Sequence, residues 1–341
     1  MRRKLVCMIL AMAALFGPAS FAATNYHLVK RVTVGGDGGW DYLAVDPETH
    51  RVFVSRGTHV LVLDGASGEP VGDIPDTPGV HGIALAADLG KGFISNGRGN
   101  SITTFDLKSL KVTGQTPAGE NPDAILYDRA SHRVFAFNGR SKDATVIDGK
   151  TGQSAGTIAL PGKPEFAVAD GKGHVYVNIE DRNSVVAIDS GSLKATATWD
   201  LPGCDSPTGM AMDTASRRLF SVCDGKTMAV TDADSGKQVA KVTIGEGPDA
   251  AEFDPRTQLV FSSNGRDGTL TVVRQDNPDR YTVIQSVETE RGARTMALDP
   301  SNGNVYLVTA KFGERPAPTA ENPRPRPPII AGSFTLLIFA R

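Results

Sequence analysis

The stretch Asn121–Asp148, NPDAILYDRASHRVFAFNGRSKDATVID, decides the fold, because most of the chain consists of variations on it. Short apolar and β-branched runs predict a strand at Ala124–Tyr127, a second at Val134–Asn138 and a third at Ala144–Ile147. A fourth strand follows the glycine-bearing turn at 149–152. The stretch therefore predicts a unit of four short antiparallel strands.

This unit recurs along the chain, and two independent marks give the same repeat. The aromatic residue of the second strand recurs every 40 to 45 residues, at Phe53, Phe93, Phe135, Tyr176, Phe220, Phe261 and Tyr306. The aspartate that closes the third strand recurs every 41 to 43 residues, at Asp64, Asp106, Asp148, Asp189 and Asp232. Seven copies of a four-stranded unit predict an all-β fold, the seven-bladed β-propeller.

The two ends of the chain complete each other. Tyr26–Val34 is a strand that stands alone before the first repeat, and Ser333–Ala340 is a third strand that lacks its fourth. We therefore expect the N-terminal strand to complete blade seven and close the ring, which protects sheet edges from unwanted pairing. Ser333–Ala340 is too short to be a membrane anchor.

The N-terminus predicts export. Arg2, Arg3 and Lys4 precede an apolar run, Leu5–Phe16, and small residues mark a cleavage site near Ala22. Residues 1–22 are therefore predicted to be a signal peptide, and 23–341 a single propeller domain in the periplasm or outside the cell, without a membrane span.

The 37 glycines and 21 prolines among 341 residues indicate a turn-rich globular chain. We expect a monomer.

Charge and cysteine content restrict the alternatives. The net charge of −2 becomes three units more negative when the leader is removed, which argues against a broad phosphate-binding surface but allows a local basic patch. Cys204 and Cys223 fall on the same face of blade five. Because disulfides form in oxidising compartments, we predict a disulfide between them in an exported protein. The alternative is two unpaired thiols, because a Cα separation cannot be obtained from the sequence.

Several segments carry a resemblance to a known family. Lys91–Asn96, Arg133–Asn138 and His174–Asn178 look like the YVTN repeat, and Ala144–Asp148 looks like the V-x-V-I-D strand that follows it. From about Trp40 onward the chain resembles the YncE-like, YVTN-repeat β-propellers. The resemblance implies exported, seven-bladed propellers. Some relatives bind nucleic acid, and superficially similar propellers include lactonases and proteins of haem d1 formation, so the repeat leaves the activity open.

One residue per blade, five positions before the first turn, should surround the mouth of the central channel. These residues, called the mouth ring below, are Asp41, His81, Asp123, Glu165, Thr208, Asp249 and Arg294. A divalent cation or a polar ligand needs such a set, with Asp41, Asp123, Glu165 and Asp249 as the candidate metal ligands. The alternative is that each side chain caps its own strand or bonds the neighbouring blade. His81 could be a general base or a haem ligand, although a lone histidine is more often structural.

A second set lies on the same face. Asn-Gly-Arg recurs and ends at Arg98, Arg140 and Arg266. Asn-Gly suits tight turns with positive φ, which leaves each arginine free to bind a carboxylate or phosphate ligand. The alternative is that these arginines and the carboxylates of the mouth ring neutralise each other between neighbouring blades.

Blade seven carries a long proline-rich loop, 311–332, on the same face. Loops of this length in compact domains are functional or disordered. It could be a lid that brings Arg315, Arg324 or Arg326 to a ligand, or a docking strip for another protein, or a loosely held surface loop.

The sequence contains no nucleophile elbow, zinc-protease helix or Walker loop. Our leading hypothesis is a non-catalytic binding or interaction scaffold, with a small anionic or polar ligand or a protein as partner. One alternative is a lactonase-like hydrolase in which ring carboxylates hold a divalent cation and His81 or a carboxylate activates water. The other is binding of single-stranded nucleic acid by the arginine loops.

Overall fold

The computed structural model of the chain describes residues 25–319 and 325–341. The predicted signal peptide and Arg324 lie outside the described residues. The described chain forms seven separate four-stranded antiparallel sheets, arranged as the blades of a propeller. The predicted seven-bladed fold is confirmed.

The chain begins with β1 (His27–Thr33), which belongs to the last blade. The strands of blade 1 are β2 (Leu43–Asp46), β3 (Arg51–Ser55), β4 (Val60–Asp64) and β5 (Pro70–Ile74). Those of blade 2 are β6 (Val80–Ala86), β7 (Lys91–Asn96), β8 (Ser101–Asp106) and β9 (Val112–Pro117). Those of blade 3 are β10 (Pro122–Asp128), β11 (Arg133–Asn138), β12 (Asp143–Asp148) and β13 (Ser154–Ala159).

The remaining blades follow the same order. Blade 4 consists of β14 (Pro164–Ala169), β15 (His174–Ile179), β16 (Ser184–Asp189) and β17 (Lys194–Asp200). Blade 5 consists of β18 (Asp205–Asp213), β19 (Arg218–Asp224), β20 (Thr227–Asp232) and β21 (Gln238–Thr243). Blade 6 consists of β22 (Pro248–Asp254), β23 (Leu259–Asn264), β24 (Thr269–Asn277) and β25 (Arg280–Glu288). Blade 7 consists of β26 (Met296–Leu298), β27 (Val305–Thr309), β28 (Thr335–Ala340) and β1.

The ring closes as the sequence predicts. β1 pairs antiparallel with β28, with Thr33 opposite Thr335 and Arg31 opposite Leu337. The first strand of the described chain is therefore the outer strand of the last blade. No helix among the described residues is long and apolar enough to cross a membrane.

Both repeat marks have a physical role. The aromatic residue of each second strand is at most 1% exposed and packs between blades, where burial of one such ring stabilises the fold by roughly 2 to 3 kcal/mol. The third-strand aspartates accept a hydrogen bond from the backbone N–H three residues later; the Ser67 N–H lies 2.7 Å from Asp64 Oδ1. The turn between the third and fourth strands is therefore specified by the aspartate.

Blade 5 contains a disulfide between Cys204 and Cys223, whose Cα atoms are 5.3 Å apart. This distance lies within the usual range for a disulfide. Blade 2 lacks the aspartate of the first turn, since Ala86 stands there, and its turn is a short 3₁₀ segment, Ala87–Leu89. A second 3₁₀ segment, Glu180–Arg182, follows β15.

Candidate functional site

At Asp41 and Asp123 the backbone of the mouth ring is held by hydroxyl groups of residues outside the ring. The Asp41 N–H donates to Ser55 Oγ at 2.9 Å, and Thr295 Oγ1 donates to the Asp41 carbonyl at 2.6 Å. Ser95 donates in the same way to the Asp123 carbonyl. Because these contacts fix the strand entries, the carboxylates are not needed as caps and can face the channel mouth.

Five of the seven side chains form one chain of contacts. The two guanidinium nitrogens of Arg294 donate to Asp249 and to Asp41, the latter with 3.1 Å between Nη2 and Oδ1. The other Asp41 oxygen, Oδ2, is 2.6 Å from His81 Nδ1, and Asp123 Oδ1 is 3.6 Å from the same nitrogen. The network spans blades 6, 7, 1, 2 and 3, so the structure brings these predicted residues together.

The charges of Asp41 and His81 stabilise each other. Burial alone would raise the pKa of Asp41, but the hydrogen bond from His81 and the charge of Arg294 hold it below its usual value. Burial alone would lower the pKa of His81, but the hydrogen bond to Asp41 and the charge of Asp123 raise it. The pair favours a carboxylate beside an imidazolium.

Asp123 differs from the other carboxylates. Its side chain is 14% exposed, and no described residue donates a hydrogen bond to its carboxylate. Burial raises its pKa to about 6, and the charges of Asp41 and Asp249 act in the same direction against that of His81. Asp123 is therefore a carboxylate short of a positively charged partner.

Glu165 belongs to a second group that the sequence analysis did not identify. Lys163 bonds both Glu165 and Glu180 at the entry of blade 4. Burial raises the pKa of Glu165 to about 8, and the charge of Asp123 adds to this rise. Lys163 stands two residues before its partner in the chain, a proximity that could have indicated the pair.

Two aromatic side chains, also missed, close the channel beneath the mouth. The ring centroids of Tyr42 and Phe166 are 5.4 Å apart, and these residues belong to blades 1 and 4, which are not neighbours. Their contact must therefore cross the channel. Burial and the surrounding carboxylates, Asp123 first among them, raise the pKa of Tyr42 well above its usual value. The sequence could have indicated this pair, because Tyr42 and Phe166 directly follow a mouth-ring position, where the other five blades carry a small residue.

Thr208 has a structural role. Its hydroxyl donates to the Pro248 carbonyl at 3.0 Å and lies 3.3 Å from the Val222 carbonyl. In blade 5 the ring position therefore supports the alternative, a side chain that bonds the neighbouring blade.

The arginines of the Asn-Gly-Arg motifs do not neutralise the mouth ring within the described structure. Arg98 and Arg140 are exposed and form no ion pair with a described residue, and Arg266 pairs with Glu246 at 3.2 Å. These three remain candidate ligand contacts on the rim. The mouth ring obtains its positive charge from Arg294, Lys163 and His81 instead.

The glycines of these motifs were assigned the wrong role. None of them has a positive φ; that conformation falls later in the loop, for example at Asn100 and Lys142. At Gly97 the reason is space, because a Cβ would lie 2.7 Å from His81 Cδ2 and Nε2. At Gly139 a Cβ would meet nothing closer than 3.5 Å. The first glycine lets His81 lie against the loop.

The long loop of blade seven begins with a short paired stem. Phe312 pairs with Ile329, and the Gly313 N–H donates to the Pro328 carbonyl at 2.8 Å. The Phe312 ring packs 6.1 Å from Trp40, the residue before Asp41. The stem therefore lies beside the mouth ring, while Arg315 and Arg326 are exposed.

Fold and site together define a class, the seven-bladed propeller with a polar, negatively charged channel mouth. No family model matches the chain. It is similar to the uncharacterized protein YncE of Salmonella typhi and of Salmonella typhimurium, each 21% identical over 211 residues, which are 59% of this chain and 59% of theirs. The chain is a seven-bladed β-propeller that resembles the YncE proteins.

A second similarity concerns an enzyme. Over 166 residues, 45% of this chain, it is 28% identical to a 6-phosphogluconolactonase of Xenorhabdus nematophila. The chain spans half of that enzyme's length and about three fifths of the YncE proteins' length.

Solved structures show the same fold. A chain of the Kuenenia stuttgartiensis hydrazine synthase superposes with a TM-score of 0.72 at 14% identity, covering 81% of this chain and 94% of that one. A chain of the mitotic checkpoint complex superposes with a TM-score of 0.75 at 14% identity, and the match covers 100% of this chain and 99% of that one. The structure of U3-55K superposes with a TM-score of 0.75 at 11% identity, and the match covers 93% of this chain and 98% of that one. At these identities the likeness concerns the fold alone.

Proposed function

We propose that this protein is an exported binding protein whose ligand places a positively charged group in the mouth ring. The carrying observation is the Asp123 carboxylate, which is largely buried and receives no hydrogen bond from a described residue. The nearest cationic group, His81 Nδ1, lies 3.6 Å from Asp123 and bonds Asp41 instead. A buried carboxylate with so weak a partner is costly, and a ligand cation would remove that cost.

The charge balance of the mouth supports a cationic ligand. Among the described residues that form the ion pairs of the mouth, five carboxyl groups face three basic groups. The carboxyl groups belong to Asp41, Asp123, Glu165, Glu180 and Asp249, and the basic groups to Lys163, Arg294 and His81. The raised pKa values of Asp123 and Glu165 are consistent with this surplus of negative charge. The floor formed by Tyr42 and Phe166 would limit how deeply a ligand enters.

Thermal unfolding in the presence of charged probes tests the proposal. Spermidine is the organic cation, Zn²⁺ the inorganic one, and citrate and inorganic phosphate are the anions. We expect at least one cation to raise the Tm of the wild type and to lose this effect in Asp123→Asn, which keeps the shape of the side chain. Stabilisation by the anions alone, unaffected by Asp123→Asn, would overturn the proposal and favour the exposed arginines.

A lactonase-like hydrolase is the second candidate, and the Asp41–His81 pair favours it. With Nδ1 bonded to Asp41 at 2.6 Å, the neutral imidazole can accept a proton from water at Nε2. The similarity to a 6-phosphogluconolactonase points in the same direction. Hydrolysis of 6-phosphogluconolactone above the buffer rate, abolished in His81→Gln, would support this role; a rate equal to buffer would exclude that substrate.

Single-stranded nucleic acid is the third candidate, and the exposed Arg98 and Arg140 are its possible contacts. Phosphate contacts weaken steeply with salt. Binding of an oligonucleotide that falls with salt and with Arg98→Gln/Arg140→Gln would support it.

A further inference from the structure

We infer that Asp41, His81 and Asp123 form a binding site for one divalent transition-metal ion, a proposal that rests on the cation-binding role of the mouth. One ligand atom from each of these residues lies within 4.8 Å of the other two. The residues come from three successive blades, so the ring geometry and not a local motif brings them together.

The geometry is close to that of a metal centre. A Zn²⁺ ion bound tetrahedrally to histidine nitrogen and carboxylate oxygen holds its ligand atoms about 3.3 to 3.6 Å apart, from bond lengths near 2.0 to 2.2 Å. His81 Nδ1 lies 3.6 Å from Asp123, at the upper end of that interval, and 2.6 Å from Asp41, below it. Shifts of less than about 1 Å in these side chains would admit the ion.

The neighbouring groups suit this role. The Asp41 oxygen not facing His81 accepts from Arg294, a contact that would orient the carboxylate as outer contacts do around bound metals. Asp123 has no competing donor among the described residues. Gly97 leaves room for the imidazole. Solvent would complete the coordination, because the His81 side chain is 30% exposed.

The proton balance is simple. The ion takes the place of the proton between His81 Nδ1 and Asp41 Oδ2, and this proton moves to Nε2 or, from an imidazolium, to solvent. Two carboxylate oxygens and the nitrogen then form bonds to the ion. One nitrogen among the ligands favours Zn²⁺ or Co²⁺ over Ca²⁺ and Mg²⁺, which prefer oxygen throughout.

Titration of metal-free protein with Zn²⁺, followed by calorimetry, and with Co²⁺, followed by visible absorption, tests the inference. We expect one ion per chain and a loss of affinity of more than about 100-fold in His81→Gln and in Asp123→Asn, beyond the 10- to 100-fold loss typical of an outer contact. The matched control is His50→Gln, whose imidazole is 2.7 Å from Asp299 outside the mouth ring; it should bind like the wild type.

Two outcomes would overturn the inference. One is the absence of binding of either ion; the other is binding that survives both His81→Gln and Asp123→Asn. If spermidine still stabilises the wild type but not Asp123→Asn, only the metal assignment falls. If no cation binds, the proposed function falls with it.

Discussion

Arg294 at the entry of the last blade donates a hydrogen bond to Asp41 at the entry of the first, with 3.1 Å between Nη2 and Oδ1. Its other terminal nitrogen bonds Asp249 of blade 6. One guanidinium therefore connects three blades at the place where the ring closes. Burial would lower the pKa of Arg294, but the charges of Asp249 and Asp41 raise it, so the group stays charged.

Replacing Arg294 should destabilise the ring. Arg294→Gln leaves Asp41 and Asp249 without their shared cation, and because the arginine side chain is 36% exposed we expect a loss of about 1 to 3 kcal/mol rather than that of a fully buried pair. Denaturant unfolding measures it. Arg98→Gln removes an exposed arginine that forms no ion pair with a described residue, and it should change the free energy of unfolding by less than about 0.5 kcal/mol. Equal effects of the two substitutions would refute a structural role for Arg294.

Two glycines of the same motif should respond differently to alanine. In Gly97→Ala the new methyl group would lie 2.7 Å from the His81 ring and displace it, costing about 1 to 3 kcal/mol and weakening cation binding. Gly139→Ala meets only ordinary contacts and is the control. Calorimetric titration and unfolding of both variants provide the measurement. Unchanged binding by Gly97→Ala would show that the position of His81 does not matter for the site.

Glu252 should make stability depend on pH. It lies on β22 opposite Phe261, and burial raises its pKa to about 8, against a smaller lowering effect of the Leu298 backbone. The folded state therefore keeps a proton that the unfolded state loses near pH 4.5, so this group's stabilising contribution is complete below that pH and is lost as pH rises toward 8. The stability of Glu252→Gln relative to the wild type should rise by roughly 3 to 5 kcal/mol between pH 4.5 and pH 8.5.

Urea unfolding of both proteins at the two pH values checks this expectation. Parallel pH profiles of wild type and Glu252→Gln would mean that the carboxyl group titrates normally.

The loop of blade seven should slow ligand release. Its stem packs Phe312 against Trp40, next to Asp41, so the described residues that follow, 314–319, begin beside the mouth. Deleting 316–327 keeps the stem pairing of Phe312 with Ile329 and should raise the dissociation rate of whichever cation binds. A Gly-Ser replacement of equal length separates the effect of sequence from that of length. Unchanged release rates in both variants would exclude a lid and leave a docking strip or a surface loop.

The sequence predicted the architecture because each blade repeats the same physical requirements. Phe135 and Asp148 mark a buried ring and a capped turn, and their equivalents recur in most blades. The mouth ring could be found because each position lies at a fixed distance from the first turn. Pairing within the ring could not, because side chains such as Arg294 and Asp249 meet only through blade packing.

The sequence analysis did not identify other parts of the site, for reasons that differ from residue to residue. Lys163 and Tyr42 each occur in one blade only, so a search for repeated positions passes over them. The role of Gly97 depends on the direction of the His81 side chain, which no local pattern encodes. A recurring Asn-Gly pair predicts a turn, but the positive φ fell at Asn100 instead.

The most direct test of a metal-binding site in the mouth ring is a crystal structure grown with Co²⁺ and examined by anomalous scattering at the cobalt edge. Our account expects a cobalt peak bonded to His81 and to the carboxylates of Asp41 and Asp123. A map in which the mouth carries no cobalt, while exposed histidines such as His50 or His174 do, would contradict it.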